Sequence, residues 1–114
     1  MSITIYHNPL CSKSRQTLAL LQERNLELEI IEYLKTPPSE SELSMILEKL
    51  GKEPDELMRK GEAEYKEHIK DKVLSRNEMI TLMVQYPRMI ERPVVVCGDK
   101  AAIGRPPEHV LGIL

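Results

Sequence analysis

Apolar residues change their spacing several times along this chain, and each change marks an element. Ile3, Thr4, Ile5 and Tyr6 form a short β-rich run that His7, Asn8 and Pro9 break, which predicts a strand feeding a loop. From Ser12 the turn signals stop. Leu18 and Leu21, with Leu20 beside them, fall on one side of a helical projection over residues 17–24, so a helix ending near Asn25 is expected. Leu28, Ile30 and Ile31 around Glu29 then predict a second strand, closed by Tyr33 and the break at Thr36, Pro37 and Pro38. Strand, helix and strand make a βαβ unit, whose strands run parallel with a right-handed crossover.

Ser39 and Glu42 have capping-box spacing ahead of Leu43, Ile46, Leu47 and Leu50, which lie on one helical face, and Gly51 is a C-terminal stop. Residues 53–72 are highly charged, with Leu57, Met58, Tyr65 and Ile69 as sparse apolar anchors, which predicts short helical pieces. Ser75 and Glu78 repeat the capping-box spacing before Met79, Ile80, Leu82, Met83 and Val84, and Pro87 cannot continue that helix. Val94, Val95 and Val96 lead into Cys97, and Gly98, Asp99 and Lys100 can turn the run back into Ala101, Ala102 and Ile103 as a hairpin. Pro106 and Pro107 open a last amphipathic turn through Val110, Leu111 and Leu114. The order β-α-β, helices, β-β-α predicts an α/β fold with a four-stranded mixed sheet covered by helices. That is the thioredoxin or glutaredoxin pattern with a helical insertion between its halves. A length of 114 residues makes it one domain, 1–114, with one modest core.

Composition then removes whole classes of function. Sixteen Lys and Arg against eighteen Asp and Glu, a net charge of -2, rule out the dense basic surface that non-specific nucleic-acid binding needs. Phe and Trp are absent, so the usual aromatic platforms for stacking bases are missing too, and no nucleic-acid partner is expected. Nor is a membrane: no apolar run approaches spanning length and the first residues lack a signal-peptide pattern, so the expected location is cytoplasmic. In a reducing compartment the two cysteines, Cys11 and Cys97, are expected as separate thiols. Cys97, with no charged neighbour in its strand, reads as a small apolar core residue. Glu64, Glu67 and His68 could be imagined around a metal, but with His109 distant and no paired cysteines they read as a solvated helix face, and no metal is expected.

The chemistry concentrates between the first strand and the first helix, from His7 to Arg15. A thiol at a helix N-terminus is favoured as thiolate, because unpaired backbone N–H groups and the helix dipole stabilise negative charge there. Cys11 is therefore the candidate nucleophile. The same N–H groups, with the hydroxyls of Ser12 and Ser14 and the guanidinium of Arg15, could hold an oxyanion against the sulfur. His7 could depress the thiol by a hydrogen bond or by its charge, or be an ordinary polar residue at a strand end; spacing leaves both open. A dithiol oxidoreductase needs a second cysteine three residues after the first, and that position is Ser14. Any resolving thiol must come from Cys97 or from an external carrier such as glutathione. Arg59, Arg92 and Arg105 sit where loops should meet the sheet, and guanidinium groups bind tetrahedral oxyanions bidentately. Each taken singly is equally a solvated charge, so their convergence in space decides. Arg92-Pro93, just before a buried strand, is also a place where a cis peptide can fix a sharp chain direction, although trans is the commoner form.

The runs from Ile3 to Pro9, Cys11 with Ser14 and Arg15, Tyr33 and Leu34 with Pro37 and Pro38, Leu57 to Lys60, Arg92 to Val96, and Arg105 with Pro106 resemble the small arsenate reductases of the glutaredoxin-coupled type. The match covers essentially the whole length, and Ser12 and Lys13 after the cysteine look closest to a chromosomal branch of that family. The resemblance implies a thioredoxin-like fold with Cys11 as nucleophile and His7 lowering its pKa. It further implies Arg59, Arg92 and Arg105 as an oxyanion triad and Pro93 as a cis-proline. No bound cofactor is implied: the thiolate displaces water from arsenate, glutathione adds to the arsenic as reductant, and glutaredoxin completes the reduction so that arsenite leaves. Two other classes share the pattern. Redox-responsive regulators that bind RNA polymerase carry a Cys-x-x-Cys switch, which Ser14 breaks, and a glutathione-dependent thiol transferase would use Cys11 without needing three arginines.

Overall fold

A computed structural model describes residues 2–114. They divide into two compact units, one holding the chain up to Thr36 together with Arg92–Leu114, the other Pro37–Glu91.

The first unit contains the sheet. Strands β1 (Ser2–His7), β2 (Glu27–Glu32), β3 (Val94–Cys97) and β4 (Lys100–Ile103) lie in the order β2-β1-β3-β4. β1 pairs with β2 in parallel, Ile5 opposite Ile30, and with β3 antiparallel, Ile5 opposite Val95. β3 and β4 form a hairpin from Val94 opposite Ile103 to Cys97 opposite Lys100, turning through Gly98 at φ +62° and Asp99. The mixed sheet with a parallel first half and a hairpin second half is thus the one that the apolar pattern predicts. Because strand side chains alternate, β1 buries Ile3, Ile5 and His7. Ile3 and Ile5 join Leu21, Val95, Cys97 and Val110 in one core cluster, flanked by Leu18, Leu26, Leu28, Ala102 and Ile113.

Helix α1 (Ser12–Gln22) departs from its apolar pattern: the buried stripe is Ser14, Thr17 and Leu21, while Leu18 and Leu20 are only half-buried. Two hydroxyl residues can face inward because their oxygens are satisfied locally, Thr17 Oγ1 donating to the Lys13 carbonyl at 2.8 Å. The last element also differs. Pro107–Ile113 is a 3-10 helix packed on α1 and β4, not an α-helix; it opens with proline and contains Gly112, both poor α-helix formers.

In the second unit, α2 (Glu40–Leu50) and α4 (Arg76–Gln85) pack together. Both begin with complete capping boxes: Ser39 Oγ accepts the Glu42 N–H and Ser75 Oγ the Glu78 N–H, each at 3.1 Å, and both glutamates reach back. Gly51 at φ +67° ends α2, its N–H and that of Lys52 turning back to the Glu48 and Leu47 carbonyls. The charged stretch forms a 3-10 turn, Pro54–Leu57, and a short helix α3 (Ala63–His68). A second 3-10 turn, Pro87–Met89, precedes a bridge between Met58 and Ile90. Among the described residues no helix is long and apolar enough to cross a membrane.

Candidate active site

Between the end of β1 and the start of α1 the chain must turn within four residues, and Asn8 organises the turn. Its carbonyl accepts the Cys11 N–H and its side-chain Oδ1 the Leu10 N–H, both at 3.0 Å. Arg15 Nη1 ties down the Pro9 carbonyl at 2.8 Å. Cys11 is left as the N-cap of α1, extended at φ -98° and ψ 122°, with its carbonyl accepting the Arg15 N–H at 3.0 Å. The sulfur therefore stands where a capping oxygen would stand. Neither the Ser14 nor the Lys13 N–H is at hydrogen-bonding geometry to the thiol, yet both favour the sulfur anion. Burial is the largest influence on Cys11 and pushes its pKa up. The Ser14 N–H, a hydrogen bond and positive charge from Arg92, and the Lys13 N–H together outweigh it and hold the thiol below its ordinary range.

The hairpin is flanked by two of this unit's arginines. Arg92 precedes β3 and Arg105 follows β4, and the peptide bonds Arg92–Pro93 and Arg105–Pro106 are both cis. The Gly104 N–H donates to the Pro93 carbonyl at 2.9 Å, closing the open end of the hairpin. Arg105 Nη1 lies 3.9 Å from Cys11 Sγ and donates to the Arg92 carbonyl at 3.1 Å. A thiolate flanked by two guanidinium groups and helix N–H groups can bind a tetrahedral anion and attack it from one place.

His7 stands elsewhere in this network than its charge would suggest. Its Nδ1 lies 2.6 Å from Ser14 Oγ, which also accepts the Asn8 N–H at 3.0 Å. Burial lowers the His7 pKa, Glu32 raises it less, and Arg15 lowers it further, so the ring is neutral at pH 7. A neutral ring cannot lend the thiol positive charge; His7 holds Ser14, whose N–H faces the sulfur. The Ser14 hydroxyl is thereby engaged inside the loop, and of this residue it is the backbone that faces Cys11. Arg15 is exposed and bound to its own loop. Arg59 belongs to the second unit, paired with Glu62 and with its Nε 4.0 Å from Glu91 Oε1. Cys97 is buried in the core and forms no disulfide. His68 stacks on Tyr86 with ring centroids 4.5 Å apart, and among the described residues no group of three His, Cys, Asp or Glu could hold a metal.

Sequence reasoning passed over Asn8 as a strand breaker and did not single out Thr17 or Gly104. An Asn-Pro pair before a cysteine is a signal for a side chain that bonds its own turn. Nothing local in the sequence marks Thr17 or Gly104, because their importance comes from what lies across from them.

A mixed sheet of this order, with a lone activated cysteine capping the first helix and a cis-proline ahead of β3, defines a thioredoxin-like fold built for thiol chemistry. Residues 6–113 match the ArsC family, and the chain belongs to that family. It is 49% identical to YfgD of Escherichia coli K12, a protein described as uncharacterized, over 98% of this chain and 96% of that one. It is 47% identical to an arsenate reductase of Haemophilus influenzae over the full length of both. The structure of an arsenate reductase from Vibrio cholerae superposes with a TM-score of 0.95 at 48% identity, covering 100% of this chain and 98% of that one.

Proposed function

We propose that this chain is an arsenate reductase that acts in the cytoplasm with Cys11 as its nucleophile. The Cys11 thiolate attacks arsenic and an arsenate oxygen leaves as water, giving a cysteine-arsenate adduct. Glutathione then adds to arsenic with loss of a second water. A glutaredoxin thiolate next takes the glutathione sulfur as a mixed disulfide, and the electron pair of that broken S–As bond reduces arsenic to arsenic(III) still held on Cys11. Water then cleaves the Cys11 S–As bond, releasing arsenite and returning the thiol. Two thiols are oxidised and arsenic gains two electrons, so no cofactor need reside in the protein. The observation that carries this reading is the contact of Arg105, together with Arg92, at the sulfur of a cysteine whose pKa is lowered. Ser14 supports it, since the position where an internal dithiol would keep its second sulfur holds a hydroxyl. Arg59 enters the reading through the family resemblance alone, as a third oxyanion ligand.

Arsenite formation from arsenate by the purified chain, supplied with glutathione, glutaredoxin, glutathione reductase and NADPH, tests the reading. Cys11→Ser abolishes turnover, Cys97→Ser keeps most of it, and Arg59→Ala raises KM for arsenate. A folded wild type that makes no arsenite sinks the reading. Loss of turnover in a folded Cys97→Ser variant sinks the single-thiol mechanism.

A further inference from the structure

The loop that carries Arg105 closes through a space too small for any side chain at the preceding residue. A Cβ placed on Gly104 would lie 2.4 Å from Thr17 Oγ1, 2.8 Å from Pro93 Cγ and 3.1 Å from Thr17 Cγ2. Carbon atoms in contact prefer separations of about 3.5–4.0 Å. The φ of Gly104 lies outside the left-handed region, so the position requires space and not backbone freedom.

Neither neighbour can easily give way. Thr17 is fully buried and its hydroxyl is committed to the Lys13 carbonyl at 2.8 Å. Pro93 is buried beside β3, where its carbonyl accepts the Gly104 N–H at 2.9 Å. A side chain at 104 would therefore drive its own backbone outward, and Arg105 with it. That movement would lengthen the Arg105 contact, whose 3.9 Å from Nη1 to Cys11 Sγ is already near the outer limit for a hydrogen bond to sulfur.

We propose that Gly104 is a positioning residue for the anion site: its missing side chain lets the β4 end close against α1 and Pro93, which brings the Arg105 guanidinium to the Cys11 sulfur. The inference rests on the reading of Cys11, Arg92 and Arg105 as an arsenate site. It assigns Gly104 no contact with substrate; it acts through Arg105.

The test is a double-mutant cycle of Gly104→Ala and Arg105→Ala in a Cys97→Ser background, so that only Cys11 is read. The measured quantity is the arsenate concentration that halves the rate of Cys11 alkylation by iodoacetamide, with the alkylation rate near neutral pH as a second reading. Gly104→Ala raises the half-protecting concentration by at least about 10-fold, since an ångström of misplacement can cost about 100-fold. It adds nothing once Arg105 is alanine. A folded Gly104→Ala variant that binds like its parent overturns the proposal, as does an effect that persists undiminished without Arg105. If Gly104→Ala does not fold, Thr17→Ala/Gly104→Ala is read instead, with and without Arg105→Ala, because it removes both Thr17 contacts and leaves only Pro93 Cγ near the new methyl. Folding with arsenate protection restored to within about 3-fold of the parent, or a loss that disappears once Arg105 is alanine, supports the proposal, and a loss that persists undiminished without Arg105 overturns it. Absence of protection in the parent itself defeats the arsenate reading instead. Gly104 is then judged on alkylation alone: a rate reduced to that of Arg105→Ala supports the positioning role, and an unchanged rate overturns it.

Discussion

At neutral pH an ordinary cysteine is mostly thiol, its pKa being about 8.5, so a nucleophile needs neighbours that favour the anion. Cys11 has them in Arg92 and in the N–H groups of Ser14 and Lys13, which together overcome the cost of burial. An acid with a lowered pKa releases its proton at lower pH, so alkylation of Cys11 should rise with pH through a midpoint below the ordinary thiol value. Arg92→Ala should move that midpoint upward by removing a hydrogen bond and a positive charge at once. Iodoacetamide rates measured across pH 5–10 on the two proteins check this, and coincident profiles would refute the role of Arg92. The placement of Cys11 at the start of α1 was legible from one residue type at one kind of position. The role of His7 was not, because whether a histidine is charged depends on burial and on Ser14 lying against it, and neither is visible along the chain.

Helices α2 and α4 show how far local rules reach. Ser39 with Glu42 and Ser75 with Glu78 announce both starts in the sequence, and the structure builds both boxes in full. Ser75→Ala should cost about 1 kcal/mol, read as a lower urea midpoint at unchanged slope. Its loss should shrink at acid pH: the Ser75 N–H and hydroxyl hold the Glu78 carboxyl below its usual range, so that part of the box is present above the unfolded glutamate pKa and is lost as pH falls through the folded one. A penalty in Ser75→Ala that is the same at pH 3 and pH 7 would contradict this. Capping is legible because donor and acceptor lie three residues apart. The buried face of α1 is not, since an apolar count favours Leu20 over Ser14 and Thr17, and only satisfied hydroxyls make the inward turn possible.

The molecule as a whole carries a net charge of -2, which does nothing to attract an anion. Attraction falls to local cations, and Lys13, Arg15 and Arg105 are all exposed near the sulfur's end of α1. Raising ionic strength from about 0.01 to about 1 M shortens the Debye length from about 30 to about 3 Å. KM for arsenate should therefore rise several-fold with salt while kcat holds, as steady-state assays in the two salts would measure. A KM indifferent to salt would mean that close contact alone supplies the affinity. The hairpin carries a consequence of its own. Gly98 and Asp99 turn the chain about 13 Å from the arginines, yet they act as the gauge that spaces them. One residue more in that turn would shift β4 by one position, change the face on which every later side chain emerges, and leave Arg105 facing away from the sulfur. The spacing of Arg92 and Arg105 beside the sulfur is thus written at the far end of the hairpin.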